Sequence, residues 1–480
     1  MRVGRVVLLA AFGSLVAMPS AGVLAQTAPA PNVVTEWSRI VQPAIHSAAE
    51  PRTPVSAFIL HTLVQLAVYD AVMAIEGGFE PFQTTPDAPD GADVRAAVAT
   101  AAYRSARGRV SPSQHPYLDE KYTAYMAAIP EGQAKQDGVA VGEATAAGML
   151  AARQNDNFSN TATYVCSANP PPVGEFVPEG GCGTEPNDVR TGQVVPYTFT
   201  NRAQFRPAGP PALTSERWAT DFEEMKTLGR EDSAVRTPEQ TDVVYFWAEH
   251  AYTQWHRNLT EIAISKNLGV RDTARFLAMT FTAASDAGIA GFEAKYHYRA
   301  WRPRTAIPGA EGDGNAATVP DAAWTPLLSV NHPEYPSGHG FESGAITEAM
   351  RTFFGTDQVE VTFDASKAAV PKVVRERRTY TSLSEITLEV DNARIWAGLH
   401  YRHSMDDGKV QGTAVARHVL GTHFRAVATA PDPAATLPRT GPTAAGPLTA
   451  VGLGLVGMGA LVAARGPRRS GVRTPYTWRA

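Results

Sequence analysis

The sequence predicts an all-α protein built around one large helical bundle. Three observations lead there. Apolar residues recur at helical spacing through most of the chain, only one short segment alternates as a strand would, and the most unusual polar stretches fall where helices should start or stop. With 480 residues, 44 % hydrophobic and 19 % charged, the chain is ordinary globular material with enough apolar side chain to bury a large core.

The first residues, "MRVGRVVLLAAFGSLVAMPSAGVLAQ", set Arg2 and Arg5 before an apolar run from Val6 to Val16, and small residues follow before Gln26. This is the layout of a signal peptide over 1–25, with the apolar run short for a membrane span. A short polar leader then precedes "SAFILHTLVQLAVYDAVMAIEG", whose apolar residues from Phe58 to Ile75 predict a core helix ending at Gly77-Gly78. "DVRAAVATAAYRSARG" and "GQAKQDGVAVGEATAAGMLAARQND" continue as alanine-rich helices suited to close packing.

From Asp156 to Leu213 the composition turns to Pro, Gly, Asn and Thr, which predicts a long surface loop. It holds the only two cysteines, Cys166 and Cys182, and in an exported protein these read as one disulfide. Helical patterning resumes at Pro238 in "TPEQTDVVYFWAEHAYTQWHRNLTEIAISKNLG" and continues through "VRDTARFLAMTFTAASDAGIAGFEAKYHY", "SGHGFESGAITEAMRTFFG", "SLSEITLEVDNARIWAGL" and "DDGKVQGTAVARHVLGTHFRAVA". "DQVEVTF" alternates like a strand but is too short to build a sheet. The domain therefore spans 26–430.

A Pro/Ala spacer and sorting motif occupy 431–440, the motif being the pentapeptide Leu437-Pro-Arg-Thr-Gly441, and an uncharged stretch from Gly441 to Ala464 precedes Arg465, Arg468, Arg469 and Arg473. This order resembles a sortase sorting signal cut between Thr440 and Gly441. The resemblance implies sortase as a partner, covalent attachment to peptidoglycan, and an extracellular address on a Gram-positive cell wall; a plain C-terminal membrane anchor over 441–480 is the alternative. Loss of both ends removes seven arginines and no acids, so the formal charge of −4 falls by seven to −11. An acidic exported body is a poor nucleic-acid binder.

Three stretches carry chemistry. In "KYHYRAWRPRTAI", Lys295 and Arg302 are seven apart, but Pro303 disfavours helical geometry at Arg302. The helix should end before Arg302, with Lys295 in its last turn and Arg302 reaching the same cavity from the loop. In "ARIWAGLHYRHSMDDG", Arg394 and His400 are six apart and converge only if the helix stops between them, for which Gly398 is the natural place. In "NHPEYPSGHGFESG", Ser337 and Gly338 open a helix near His339. A hydroxyl, a bare backbone and the positive end of a helix dipole make an anion cradle. Lys295, Arg302 and Arg394 add three cations, and His339 and His400 remain for proton transfer or ligation. Taken singly each stretch has a plain reading: a surface turn, a helix cap with an incidental histidine, a polar helix edge.

Taken together, "KYHYRAWRP", "PSGH" and "RIWAGLH" match the pattern K-x6-R-P, P-S-G-H, R-x5-H, which resembles the superfamily shared by vanadium-dependent haloperoxidases and type 2 phosphatidic acid phosphatases. The likeness runs from about Asp242 to Phe424. It implies that Lys295, Arg302, Ser337, Gly338 and Arg394 bind the oxyanion, that His339 is an acid–base group, and that His400 is the axial vanadium ligand or a phosphorus nucleophile. Ala393 stands where the family often has Ser. Ser404 stands where the phosphatases carry an aspartate that would orient the second histidine, with Asp406 and Asp407 displaced beyond it. His332 either faces the cofactor, as in some bromide-oxidising relatives, or is a supporting loop histidine.

Three functions follow. The first is a haloperoxidase with vanadate as cofactor, and hydrogen peroxide, halide and a small organic acceptor as partners, Lys295 polarising the peroxide. The second is an acid phosphatase with phosphate in the same cradle and a phosphohistidine at His400. The third is an inert wall-anchored binding protein. The displaced aspartate and the context of Lys295 favour the first. Homodimers are common in the family, though no apolar stripe in the sequence marks such a surface.

Overall fold

The structure, a computed structural model, describes residues 29–427. The signal peptide, Thr440, Gly441 and the rest of the C-terminal signal lie outside the described residues. Helices α1 (Val33–Ile45), α2 (Pro54–Glu76), α3 (Val94–Arg107), α4 (His115–Ala127) and α5 (Gln133–Ala152) precede the long loop. After it come α6 (Glu216–Leu228), α7 (Pro238–Phe246), α8 (Ala251–Ser265), α9 (Val270–Tyr298), the single turn α10 (Pro303–Ala306) and α11 (Gly338–Phe354). A two-stranded antiparallel ribbon, β1 (Val361–Asp364) on β2 (Arg377–Tyr380), leads to α12 (Leu383–Trp396) and α13 (Arg402–Thr422). The all-α expectation holds.

Helix α2 is long and apolar enough to cross a membrane, yet 89 % of its most apolar window is buried within the protein. It has no polar face because α1, α3, α5 and α9 pack around it. Helices α11 and α13 approach backbone to backbone. A Cβ at Gly412 would lie 2.0 Å from the Phe341 carbonyl oxygen, and one at Gly344 would lie 2.6 Å from that of Lys409. The four-residue spacings Gly340–Gly344 and Gly408–Gly412 put these gaps on facing stripes, which holds the start of α11 firmly against the start of α13.

Four expectations need correction. The polar leader contains α1, whose Asn32–Thr35 capping box starts a helix that buries Trp37 and Val41. Helices α4 and α6 went unread because their buried residues are few. The segment read as one helix from Pro238 breaks at Trp247–His250 into α7 and α8. Finally, the loop 156–213 is only partly a surface excursion. The pair Cys166–Cys182 is bonded as expected, but further on the Tyr197 and Thr198 amides and the Thr198 hydroxyl donate to the buried carboxylate of Asp286 in α9. Asn187 and Asp188 of the same loop line the cavity of the candidate active site.

Candidate active site

Helix α9 stops at Arg299, whose left-handed backbone (φ 50°) turns the chain, and Arg302 follows in extended geometry ahead of Pro303. Lys295 sits in the last turn of α9 with no exposed surface. Its Nζ donates to the carbonyl oxygens of Pro333 (3.0 Å) and Glu334 (3.1 Å), tying α9 to the segment that leads into α11. Burial, then the neighbouring Arg302 charge, hold the ammonium pKa well below its ordinary value. Arg302 donates to the carbonyls of His332 (2.6 Å) and Leu399 (2.8 Å) and to a ring nitrogen of His332 (2.8 Å); burial lowers its pKa to about 9.

Ser337 caps α11, its hydroxyl oxygen accepting from the Gly340 amide at 3.3 Å. The first amides of α11 point out of the helix start beside His339. Helix α12 ends at Trp396, and Gly398 with φ 80° makes the turn that brings His400 back toward Arg394, as its sequence position suggested. Arg394 donates to the Trp247 carbonyl at 2.9 Å, its Nε is buried without a partner, and burial lowers its pKa to about 10.

These elements enclose a cavity of about 140 Å³ lined by His332, Gly338, His339, Glu342, Arg394 and His400, with Asn187 and Asp188 of the long loop at its mouth. Lys295 and Arg302 are brought to the same place but lie behind His332 rather than on the cavity wall. His332 itself lines the cavity. The rings of His332, His339 and His400 are all held neutral, chiefly by burial and then by the nearby arginines.

The structure overturns the argument from the displaced aspartate. Asp406 pairs with Arg217, and Asp407 accepts from the Tyr335 hydroxyl, so neither serves His400. The orienting carboxylate is instead Glu334, from the Pro-Glu-Tyr-Pro run before Ser337. Its Oε1 accepts from His400 Nδ1 (2.9 Å) and from the Tyr401 amide (3.1 Å), and Glu334 is 1 % exposed. Ser404, at the aspartate's place, donates weakly to the Glu334 carbonyl at 3.4 Å. With Nδ1–H donated to Glu334, the Nε2 lone pair of His400 is free to act as ligand or nucleophile. The second histidine of "HYRH", His403, turns away to Asp221 at 2.7 Å.

Several features fit a tetrahedral oxyanion. The arginine Nε lacks a partner, the helix start offers free amides, and a Cβ at Gly338 would meet nothing nearer than Phe341 at 3.9 Å. That glycine is thus not required by packing; a side chain there would take space from the cavity it lines. Gly338→Ala is expected to leave the unfolding free energy within about 0.5 kcal/mol of the parent while weakening phosphate binding roughly tenfold. Calorimetric titration with phosphate alongside a denaturant melt checks both. Among the described residues no cluster of His, Cys, Asp and Glu could hold a metal cation.

Residues 275–429 match a family model described as the VCPO second helical-bundle domain. A vanadium chloroperoxidase of Curvularia inaequalis is 25 % identical, the match covering 36 % of this chain and about a third of that protein's length, 37 %. Two solved structures share the fold. One is described as the first bacterial vanadium-dependent iodoperoxidase (TM-score 0.67, 19 % identity, 82 % of this chain and 95 % of that one). The other is a holo-type bacterial vanadium-dependent chloroperoxidase (TM-score 0.62, 17 % identity, 81 % and 96 %).

Proposed function

We propose that the protein is a vanadate-dependent haloperoxidase that oxidises halide with hydrogen peroxide, a reading supported by the match of residues 275–429 to the VCPO second helical-bundle domain and by the likeness to a vanadium chloroperoxidase. The observation that carries this reading is the free Nε2 of His400, fixed by Glu334 at a small cavity lined by buried Arg394, with Lys295 and Arg302 behind His332. Vanadate bound there supplies a Lewis-acidic centre that activates peroxide toward halide.

The chain does the rest. Arg394, Arg302, Lys295 and the first amides of α11 neutralise the anion, with the Ser337 hydroxyl beside them. His339 is buried and neutral, so it accepts a proton from an incoming acid and returns it to a leaving oxygen. Lys295, its Nζ held by the Pro333 and Glu334 carbonyls, would act on bound peroxide through its charge from behind His332. A cavity of about 140 Å³ has room for an oxyanion and one or two molecules of water size, since each takes about 30 Å³. That suits peroxide and halide, and leaves an organic acceptor outside.

Glu334 favours a second reading, because a nucleophilic histidine also needs a carboxylate to set its tautomer. The protein would then be an acid phosphatase, the alcohol of the ester extending past Asn187 and Asp188. The two readings separate in one experiment on metal-stripped protein, in which bromination of an activated diketone and hydrolysis of a chromogenic phosphate ester are followed with and without orthovanadate. Bromination only with vanadate is the expected result. Steady hydrolysis inhibited by vanadate, without bromination, reverses the assignment. For location we propose export and sortase attachment to the cell wall, resting on 1–25 and 437–473.

A further inference from the structure

Glu342 has no part in the site as read so far. It lies three residues after His339, hence on the same face of α11, and it lines the cavity with its side chain 3 % exposed. Its Oε2 is buried without a hydrogen-bond partner. Arg394 Nε, buried in the wall of the same cavity, is also unpartnered, and the two side chains do not pair with each other. Both residues line one small cavity, and a buried polar atom without a partner calls for an explanation such as a bound ion or water. A tetrahedral oxyanion satisfies the arginine directly. It satisfies a carboxyl oxygen only if a proton lies between them, because two acceptors repel.

We propose that Glu342 is the acidic member of the anion cradle: it binds the oxyanion as a neutral carboxylic acid donating a hydrogen bond, so anion binding is coupled to proton uptake. This rests on the oxyanion reading of the site but not on the choice between halide oxidation and ester hydrolysis.

The surroundings agree. Facing Glu342 are His339 on its own helix, Lys295 from α9, Arg394 from α12, His332 and His400 from the adjoining loops, and Asp188 from the long loop. Burial, then the Asp188 charge, raise its pKa to about 8, with Arg394 and Lys295 opposing. The Thr53 and Thr191 hydroxyls both donate to Asp188 Oδ1, which fixes that carboxylate beside the cavity. Below pH 8 Glu342 is a donor. Above it, the empty site carries an extra negative charge that a bound anion must reprotonate, and affinity falls by up to about tenfold per pH unit for one linked proton.

Calorimetric titration with inorganic phosphate, in two buffers of different ionisation enthalpy from pH 6.5 to 9.5, reads this coupling. At pH 9 the parent should take up about one proton more per phosphate than Glu342→Gln. Because the glutamine amide donates at every pH, the variant should bind phosphate up to about thirtyfold more tightly than the parent at pH 9.5, although the two match near pH 7. Equal proton uptake and parallel pH profiles overturn the proposal. Absence of phosphate binding in both proteins removes the cradle itself, and the proposal with it. Should the variant fail to fold, infrared difference spectra of the parent at pH 9 decide: phosphate must convert a carboxylate band to a protonated carboxyl band, and no such conversion refutes the coupling.

Discussion

Replacement of His400 by alanine is expected to lower halogenation by about a thousandfold or more and to remove tight vanadate binding. The cations can still attract the anion, but the proposed bond from the Nε2 lone pair to its central atom would be lost. His332 is the nearest ring, with centroids 6.4 Å apart, but its Nδ1 faces the Arg302 guanidinium at 2.8 Å. The substitution also leaves Glu334, 1 % exposed, with one donor fewer, a loss of about 1–3 kcal/mol in stability. Vanadate titration followed by bromination kinetics, with a urea melt of the same samples, checks both parts.

Glu334→Gln is expected to cost 10- to 100-fold in vanadate affinity, the range found for partners that orient metal-bound histidines. Glutamine keeps the shape but not the charge, and its amide can turn NH₂ toward His400 Nδ1. The ring then presents a proton, not a lone pair, to the cavity. Because Oε1 also holds the Tyr401 amide at 3.1 Å, the turn into α13 loosens with it. Glu334→Asp keeps the charge but shortens the reach, so it should fall between parent and glutamine variant if orientation matters as well as charge. Equal affinities of Glu334→Gln and the parent in the same vanadate titration would remove this role.

Much of the site could be read from the sequence because its cues are local. Pro303 after Arg302, Gly398 between Arg394 and His400, and Ser337-Gly338 ahead of an apolar run each announce a helix end, and the structure brings their side chains together. Glu334 and Glu342 escaped for different reasons. Glu334 meets His400 across 66 residues of sequence, and nothing local marks a carboxylate for a partner so distant. Glu342 lies at the legible spacing of three from His339, but an acid among anion-binding cations contradicts the charge logic used to find the site. Helix α1 was lost for want of a long apolar run, although Asn32 and Thr35 form a capping signature. The loop at 156–213 gave no sign that Asn187 and Asp188 reach the cavity, because long-range ties such as Asp286 to Tyr197 leave no periodic trace.

The central claim is that this cradle holds vanadate through the His400 ring. X-ray absorption at the vanadium edge, on the protein loaded with one equivalent of orthovanadate, tests it most directly. The account predicts one nitrogen neighbour among the oxygens, absent from His400→Ala under the same loading. A shell of oxygens alone in the parent would contradict it.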